Sequence, residues 1–397
     1  MTARYFGLDY LRAFLIVRLV ALHSVLAYAD FGSPLFANIA PITDSRQWSG
    51  FEVFVRLNET FSMSLMYFIS GLFVWSGLTR RGALGYALAR GRRLGVPFAL
   101  VAILVMPLAF YPSFLSHGLN VSLFTYFHVL VANLIWPAGS LWFIWLLLMF
   151  DLCAAAVYQL APGAFEALGR MIAGAARRPA PYFFALVAVA AILYVPMIAI
   201  FGPFSWIVVG PFALQTSRLF HYALYFFAGV GIGAYGLGRG PLADDSLLIR
   251  HWGRWLLLAV VLNVLFATAL YPLLGAVKSS AALRTTIYGV AVVATCAATS
   301  FGLLALFRRF LTRPFAVATS LAASSYGIYL VHDFFVLWPQ YLLLGAAWPA
   351  VIKALVVFAV ALTLSWGCTA LARRLRVASA GRSSVAPAVA GSPQPGQ

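Results

Sequence analysis

Acidic side chains are scarce in this chain of 397 residues, where Asp and Glu together number 10 against 27 Lys and Arg. Charged residues make up only 9% of it, whereas about a quarter of a soluble domain is charged. That deficit excludes an ordinary water-soluble globule. Cysteine is rarer still: Cys153, Cys296 and Cys368 each lie inside an apolar run, so neither a disulfide framework nor a cysteine metal cluster is expected. Lysine is confined to Lys278 and Lys353, and the other basic residues are arginine, a bias in keeping with GC-rich bacterial coding. Those arginines flank apolar runs instead of clustering with exposed aromatics, so the formal charge of +17 does not point to nucleic acid. No metal-ligand spacing, phosphate-binding glycine loop or nucleophile elbow is present, and no resident cofactor or metal is expected.

Hydrophobic residues supply 63% of the chain, and its mean hydropathy is +0.93. Runs near span length lie at 9–29, 57–78, 94–115, 140–160, 181–201, 219–237, 253–273, 284–307, 316–341 and 349–371. This spacing predicts an all-α fold, a polytopic membrane helix bundle of about ten transmembrane helices. Basic clusters such as Arg80 with Arg81, Arg177 with Arg178, and Arg308 with Arg309 alternate with connections poor in charge. By the positive-inside rule both termini are then cytoplasmic. A membrane domain is expected over residues 1–376 and a disordered cytoplasmic tail, rich in Ala, Ser, Gly and Pro, over 377–397. The segment GPFSWIVVGPFALQTSR is interrupted by Gly202, Pro203, Gly210 and Pro211, which predicts an outer loop or a re-entrant turn.

Ionisable groups inside such runs carry the functional signal, because lipid makes them costly. The first run holds Arg12, Arg18 and His23. Arg12 and His23 are eleven positions apart, which places them on one helix face about 16 Å apart along the axis. The ninth run, SSYGIYLVHDFFV, sets Tyr326, Tyr329 and His332 at i, i+3 and i+6, while Asp333 falls on a different azimuth and is left out of the expected site. In ALARGRRLGVPFAL, Arg90, Arg92 and Arg93 serve either as a topology signal or as a phosphate clamp suited to the planar guanidinium. Glu59, Gln215 and Arg218, with His221 beside them, are candidate contacts for an acceptor or an anionic acyl group near the outer face. A secondary transporter or flippase for a polar or lipid-linked solute would also use buried ionisable groups and a broken segment.

Several stretches occur in the order found in a known family: LDYLRAFLIVRLVALH, YFISGLFVW, the Arg90-Gly91-Arg92 pattern, SLWFIWLLLMF, YFFAGVGIGAYGL and SYGIYLVH. Together they resemble the acyltransferase-3 family of integral membrane acyltransferases, including bacterial members that succinylate glucans. The resemblance implies transfer of an acyl group, acetyl or succinyl, from cytoplasmic acyl-CoA to a hydroxyl of an extracytoplasmic carbohydrate. It implies a multi-pass protein of the bacterial inner membrane whose partners are acyl-CoA, the carbohydrate and the bilayer. His23 matches the family's essential histidine, Arg12 its paired basic residue, and Arg90 and Arg92 its donor-binding motif, with Arg93 adjacent. His23 is then the general base, or else the carrier of an acyl-histidine intermediate. His332 and Tyr329 are expected to orient the acceptor or to stabilise the oxyanion.

Overall fold

The computed structural model describes residues 5–31, 40–276 and 280–383. Helices dominate it. In chain order they are α1 (Phe6–Leu26), α2 (Ser49–Gly71), α3 (Val74–Ser116), α4 (Leu123–Ala132), α5 (Gly139–Leu160), α6 (Ala164–Ala173) and α7 (Pro179–Phe201). There follow α8 (Leu219–Tyr235), α9 (Leu247–Arg250), α10 (Trp252–Thr268), α11 (Leu270–Ala276), α12 (Ala281–Phe310), α13 (Ala316–Leu342) and α14 (Ala350–Ser383). Five of these are long and apolar enough to cross a membrane by length and composition: α3, α5, α7, α12 and α14. The helices that bear the polar groups of the first and ninth runs, α1 and α13, are not among them.

Three departures from the expected organisation have physical causes. The run 57–78 is divided between α2 and α3, whose helical hydrogen bonding is interrupted between Gly71 and Val74. The segment before α8 is a β-hairpin, in which β1 (Trp206–Val209) pairs antiparallel with β2 (Phe212–Gln215) around Gly210 at φ +56°. Pairing inside the hairpin satisfies the backbone groups that a bare loop would leave open. Helix α14 continues to Ser383, past the boundary expected for the tail, and residues 384–397 lie outside the described residues.

Helix α1 is central, packed by α2, α12, α13 and α14, which explains why it tolerates polar groups that lipid would penalise. Helices α2 and α8 run so close that glycine is required at the crossing. A Cβ on Gly71 would strike the Phe226 carbonyl, and one on Gly229 the Phe68 carbonyl. Such small-residue contacts replace the hydrophobic drive that is missing between helices in lipid. Helix α3 is irregular in a way that becomes important below: Gly82, at φ +69°, breaks it near its start, and π-helical turns at Gly91–Gly95 and Val101–Val105 each accommodate an extra residue.

The connection from α1 to α2 is locked by a fully buried ion pair. Lys353 Nζ donates to Asp44 Oδ2 at 2.7 Å, and neither side chain is exposed. The other carboxylate oxygen accepts from the Arg46 N–H at 2.7 Å, while the Asp44 N–H donates to the Ala27 carbonyl at 2.9 Å. Removing one partner of such a pair strands the other charge in a dry site, which costs about 3–5 kcal/mol. Asp44→Ala is therefore expected to lower the thermal unfolding temperature of the detergent-solubilised protein sharply. The double variant Asp44→Ala with Lys353→Met should recover most of that loss; equal loss in both would show that the connection is not held by this pair.

Candidate active site

Helices α1 and α13 run parallel, and contacts along their length set the register. The Tyr10 hydroxyl lies 2.9 Å from Thr319 Oγ1, Arg12 Nη2 donates to the Ala322 carbonyl at 3.2 Å, and Gln340 Nε2 donates to the His23 carbonyl at 2.9 Å. Between these ties His23 meets both His332 and Asp333. The two imidazoles stack at a centroid separation of 4.9 Å and an interplanar angle of 16°, with His23 Nδ1 2.8 Å from His332 Nε2. Asp333 Oδ1 lies 3.1 Å from the same His23 nitrogen.

The acceptors assign the protons. His332 Nδ1 is 2.7 Å from the Tyr329 carbonyl, which only accepts, so that nitrogen carries hydrogen and Nε2 of the neutral ring presents a lone pair. His23 Nδ1 must then be the donor, its hydrogen shared between His332 and Asp333. A neutral His23 is left with an unprotonated Nε2, the form a general base needs. Asp333 is fixed in turn: its Oδ2 accepts from the Ser140 N–H at 3.0 Å and from the Ser140 hydroxyl at 2.7 Å. Gly139 adopts φ +48°, and a Cβ there would meet Met106 and come within 2.9 Å of Asp333 Oδ2, so only glycine lets Ser140 approach. The Tyr329 hydroxyl donates to the Ser140 carbonyl and holds the same turn from behind. The donor atoms of His23, His332 and Asp333 lie within 4.8 Å of one another, a spacing open to a cation, although here they hydrogen-bond among themselves.

His23, Ser140, Asp333 and Gln340 face a cavity of 810 Å³. Glu59, Gln215 and Arg218 line it too, so the structure gathers these sequence-predicted residues around His23. The amide of Gln215 is already engaged, its Nε2 donating to the Pro203 carbonyl at 3.2 Å and its Oε1 accepting from Tyr222 at 3.3 Å. Part of the wall comes from the hairpin: Trp206 meets Trp142 edge-on at 5.3 Å, and Trp145 Nε1 donates to the Ala213 carbonyl at 2.8 Å. His332 and Tyr329 are buried behind this surface and do not line it. His332 contacts His23, and Tyr329 contacts Ser140.

A second cavity, of 360 Å³, is bordered by Arg80, Arg81, Arg90 and Arg93 from α3 and by Ser70 and Tyr86. Arg90 is not free within it. Its Nε and Nη2 each lie 2.5 Å from Asp151 Oδ2, and the Tyr86 hydroxyl donates to Asp151 Oδ1 at 2.6 Å. The Arg93 carbonyl accepts from Tyr326 at 3.0 Å and ties this end of α3 to α13. Arg92 is exposed outside the cavity, and Arg12, in contact with Asp9 and the Ala322 carbonyl, borders neither cavity. Arg18 packs among the rings of Phe14, Phe54 and Phe61 at 4.7–5.8 Å, which accounts for a cation away from the Arg12 and His23 face.

Sequence reasoning missed Asp333, Ser140, Arg80 and Arg81. Asp333 adjoins His332 on a different azimuth, yet both side chains converge on the same nitrogen of His23, with His332 Nε2 and Asp333 Oδ1 3.3 Å apart. Arg80 and Arg81 carry only a topology signal in one dimension. Comparison with curated proteins and with solved structures finds no match. The family of the acyltransferase domain, acyltransferase 3, matches residues 5–370, nearly the whole described chain. The protein therefore belongs to the acyltransferase-3 family and is a membrane acyltransferase.

Proposed function

We propose that the protein moves an acyl group, acetyl or succinyl, from acyl-CoA to a hydroxyl of an extracytoplasmic carbohydrate, across the bacterial inner membrane. The observation that carries this reading is the His23 network: an imidazole whose Nδ1 meets a carboxylate, in a cavity that holds tryptophan rings. In this reading the ten apolar runs, each helical in the structure, form the spans, and both termini are cytoplasmic. Residues rich in arginine then mark the cytoplasmic end. The second cavity lies at that end, where Arg80, Arg81 and Arg93 neutralise the phosphates of CoA and Asp151 holds Arg90 in place beside them. Arg12 and Arg92 add positive potential at the same mouth.

Chemistry proceeds at the His23 end, about 16 Å from Arg12 along α1, a distance that an extended pantetheine arm covers. His23 Nε2 takes the proton from the acceptor hydroxyl as its oxygen attacks the thioester carbonyl. The imidazolium that forms is stabilised by Asp333 through Nδ1, the arrangement that serves serine hydrolases. Collapse of the tetrahedral intermediate breaks the C–S bond, and the proton on Nε2 passes to the departing thiolate. The products are an ester and free CoA, and no acyl-histidine is required. The tryptophans offer apolar faces against which a sugar ring can lie.

His23→Ala is expected to reduce transfer at least ~10²-fold while membrane insertion and helix content persist. Mass analysis of surface glycans from a deletion strain carrying the variant checks this, and near-normal acylation would remove His23 from the mechanism. Asp333→Asn leaves the shape but not the charge, and the turnover number should fall about 10²–10⁴-fold with the dissociation constant for acyl-CoA unchanged. Replacing Arg80 and Arg81 together by Gln should instead raise the KM for acyl-CoA severalfold with little effect on kcat. The wild-type KM should also rise with ionic strength, as screening predicts for exposed phosphate contacts.

A further inference from the structure

Arg218 heads the largest fully buried side chains, with 2% of the residue exposed. Among the other buried cations, Arg90 has Asp151, Arg308 has Asp244 at 2.6 Å and Lys353 has Asp44, while Arg18 is enclosed by the rings of Phe14, Phe54 and Phe61. Arg218 has no such acid, for among the described residues no carboxylate oxygen lies within 4.0 Å of its guanidinium. Its Nη1 donates to the Glu59 carbonyl at 2.6 Å, its guanidinium carbon stands 5.8 Å from the Tyr194 ring centroid, and its Nε has no hydrogen-bond partner. A buried charge held this way is left several kcal/mol short of compensation. The residue also lines the cavity that holds His23 and Asp333.

The surroundings make that corner receptive to an anion. Arg218 caps the N-terminus of α8, a helix of 17 residues, so the positive end of the helix dipole adds to the guanidinium. Glu59 borders the same cavity and offsets part of the charge at longer range, but its carboxylate does not occupy the guanidinium donors. Arg56, also on the wall, is engaged by Glu52.

Depth decides which substrate carries the anion. Along the antiparallel pair of α1 and α2, Ala29 bridges to Trp48, and Asn58 Nδ2 donates to the Arg18 carbonyl at 3.5 Å. Glu59, which holds Arg218, is therefore level with Arg18, five residues or about 8 Å from His23 along α1. The displacement is toward Arg12, on the arginine-rich side from which the donor arrives. An acceptor from the opposite side reaches His23 first.

We propose that Arg218 receives the distal carboxylate of a dicarboxylic acyl group, which makes the preferred donor a short dicarboxylyl thioester such as succinyl-CoA. The assignment rests on the acyl-CoA reading above. Butyryl-CoA is the matched probe, since it replaces the terminal carboxylate of succinyl-CoA by a methyl group and leaves the CoA portion intact. Titration calorimetry on the purified full-length protein in detergent should show succinyl-CoA bound at least tenfold more tightly than butyryl-CoA. Arg218→Gln should abolish the difference, and Arg218→Lys should retain part of it. Wild-type affinities within twofold of each other overturn the proposal without reference to any variant, and so does a preference that survives Arg218→Gln. Failure of the wild type to bind either thioester, or CoA itself, overturns the acyl-CoA reading as a whole, an outcome distinct from equal binding of the two.

Discussion

One hydrogen, on Nδ1 of His23, is the point on which the site depends. It is shared by His332 Nε2 and Asp333 Oδ1, and each of those acceptors is fixed by a further bond, to the Tyr329 carbonyl in one case and to Ser140 in the other. The chain of constraint runs outward from there. Ser140 stands where it does because Gly139 accepts a left-handed backbone and because Tyr329 holds the carbonyl of the turn. His332 and Asp333 reach His23 because α1 and α13 are parallel and tied at several levels. The orientation of this imidazole is thus set through two layers of hydrogen bonds within the bundle.

Buried charge is handled in three different ways. Arg90, Arg308 and Lys353 are matched with acids drawn from distant parts of the sequence. Arg18 is sheltered by aromatic faces. Arg218 lines a cavity with Nη1 on the Glu59 carbonyl and Nε without a partner. With so few acids in the chain, their placement is informative: Asp44, Asp151 and Asp333 are each committed to a specific basic partner. The low acidic content that first marks the chain as a membrane protein thus also concentrates its meaning in a handful of aspartates.

Local pattern made the helices legible, and pairing across the chain was what it concealed. Each apolar run is helical, because a continuous run of that length satisfies its backbone only as a helix in lipid. The spacing from Arg12 to His23 needs one helix alone, and it survives intact. Asp333 required a second helix, since its relation to His23 depends on the register of α13 against α1. The tie between Arg90 and Asp151 joins residues 61 positions apart and leaves no trace in either local segment. Gly210 and Pro211 announced a break, yet strand pairing between Trp206 and Gln215 depends on hydrogen bonds that periodicity does not report.

The π-helical turns of α3 have a consequence for how the two cavities are related. Beyond its break at Gly82 this helix contributes Arg90 and Arg93 to one cavity, and near its end Phe110 and Ser113 to the other. Each extra residue turns the downstream face by about 100° without breaking the rod. Together the two π turns therefore rephase α3, so that one continuous element presents suitable faces to sites at both ends. Such a rod transmits tilt. A shift of α3 that widened the arginine-lined mouth would displace Phe110 and Ser113 in the same motion, making the filling of one chamber mechanically visible to the other.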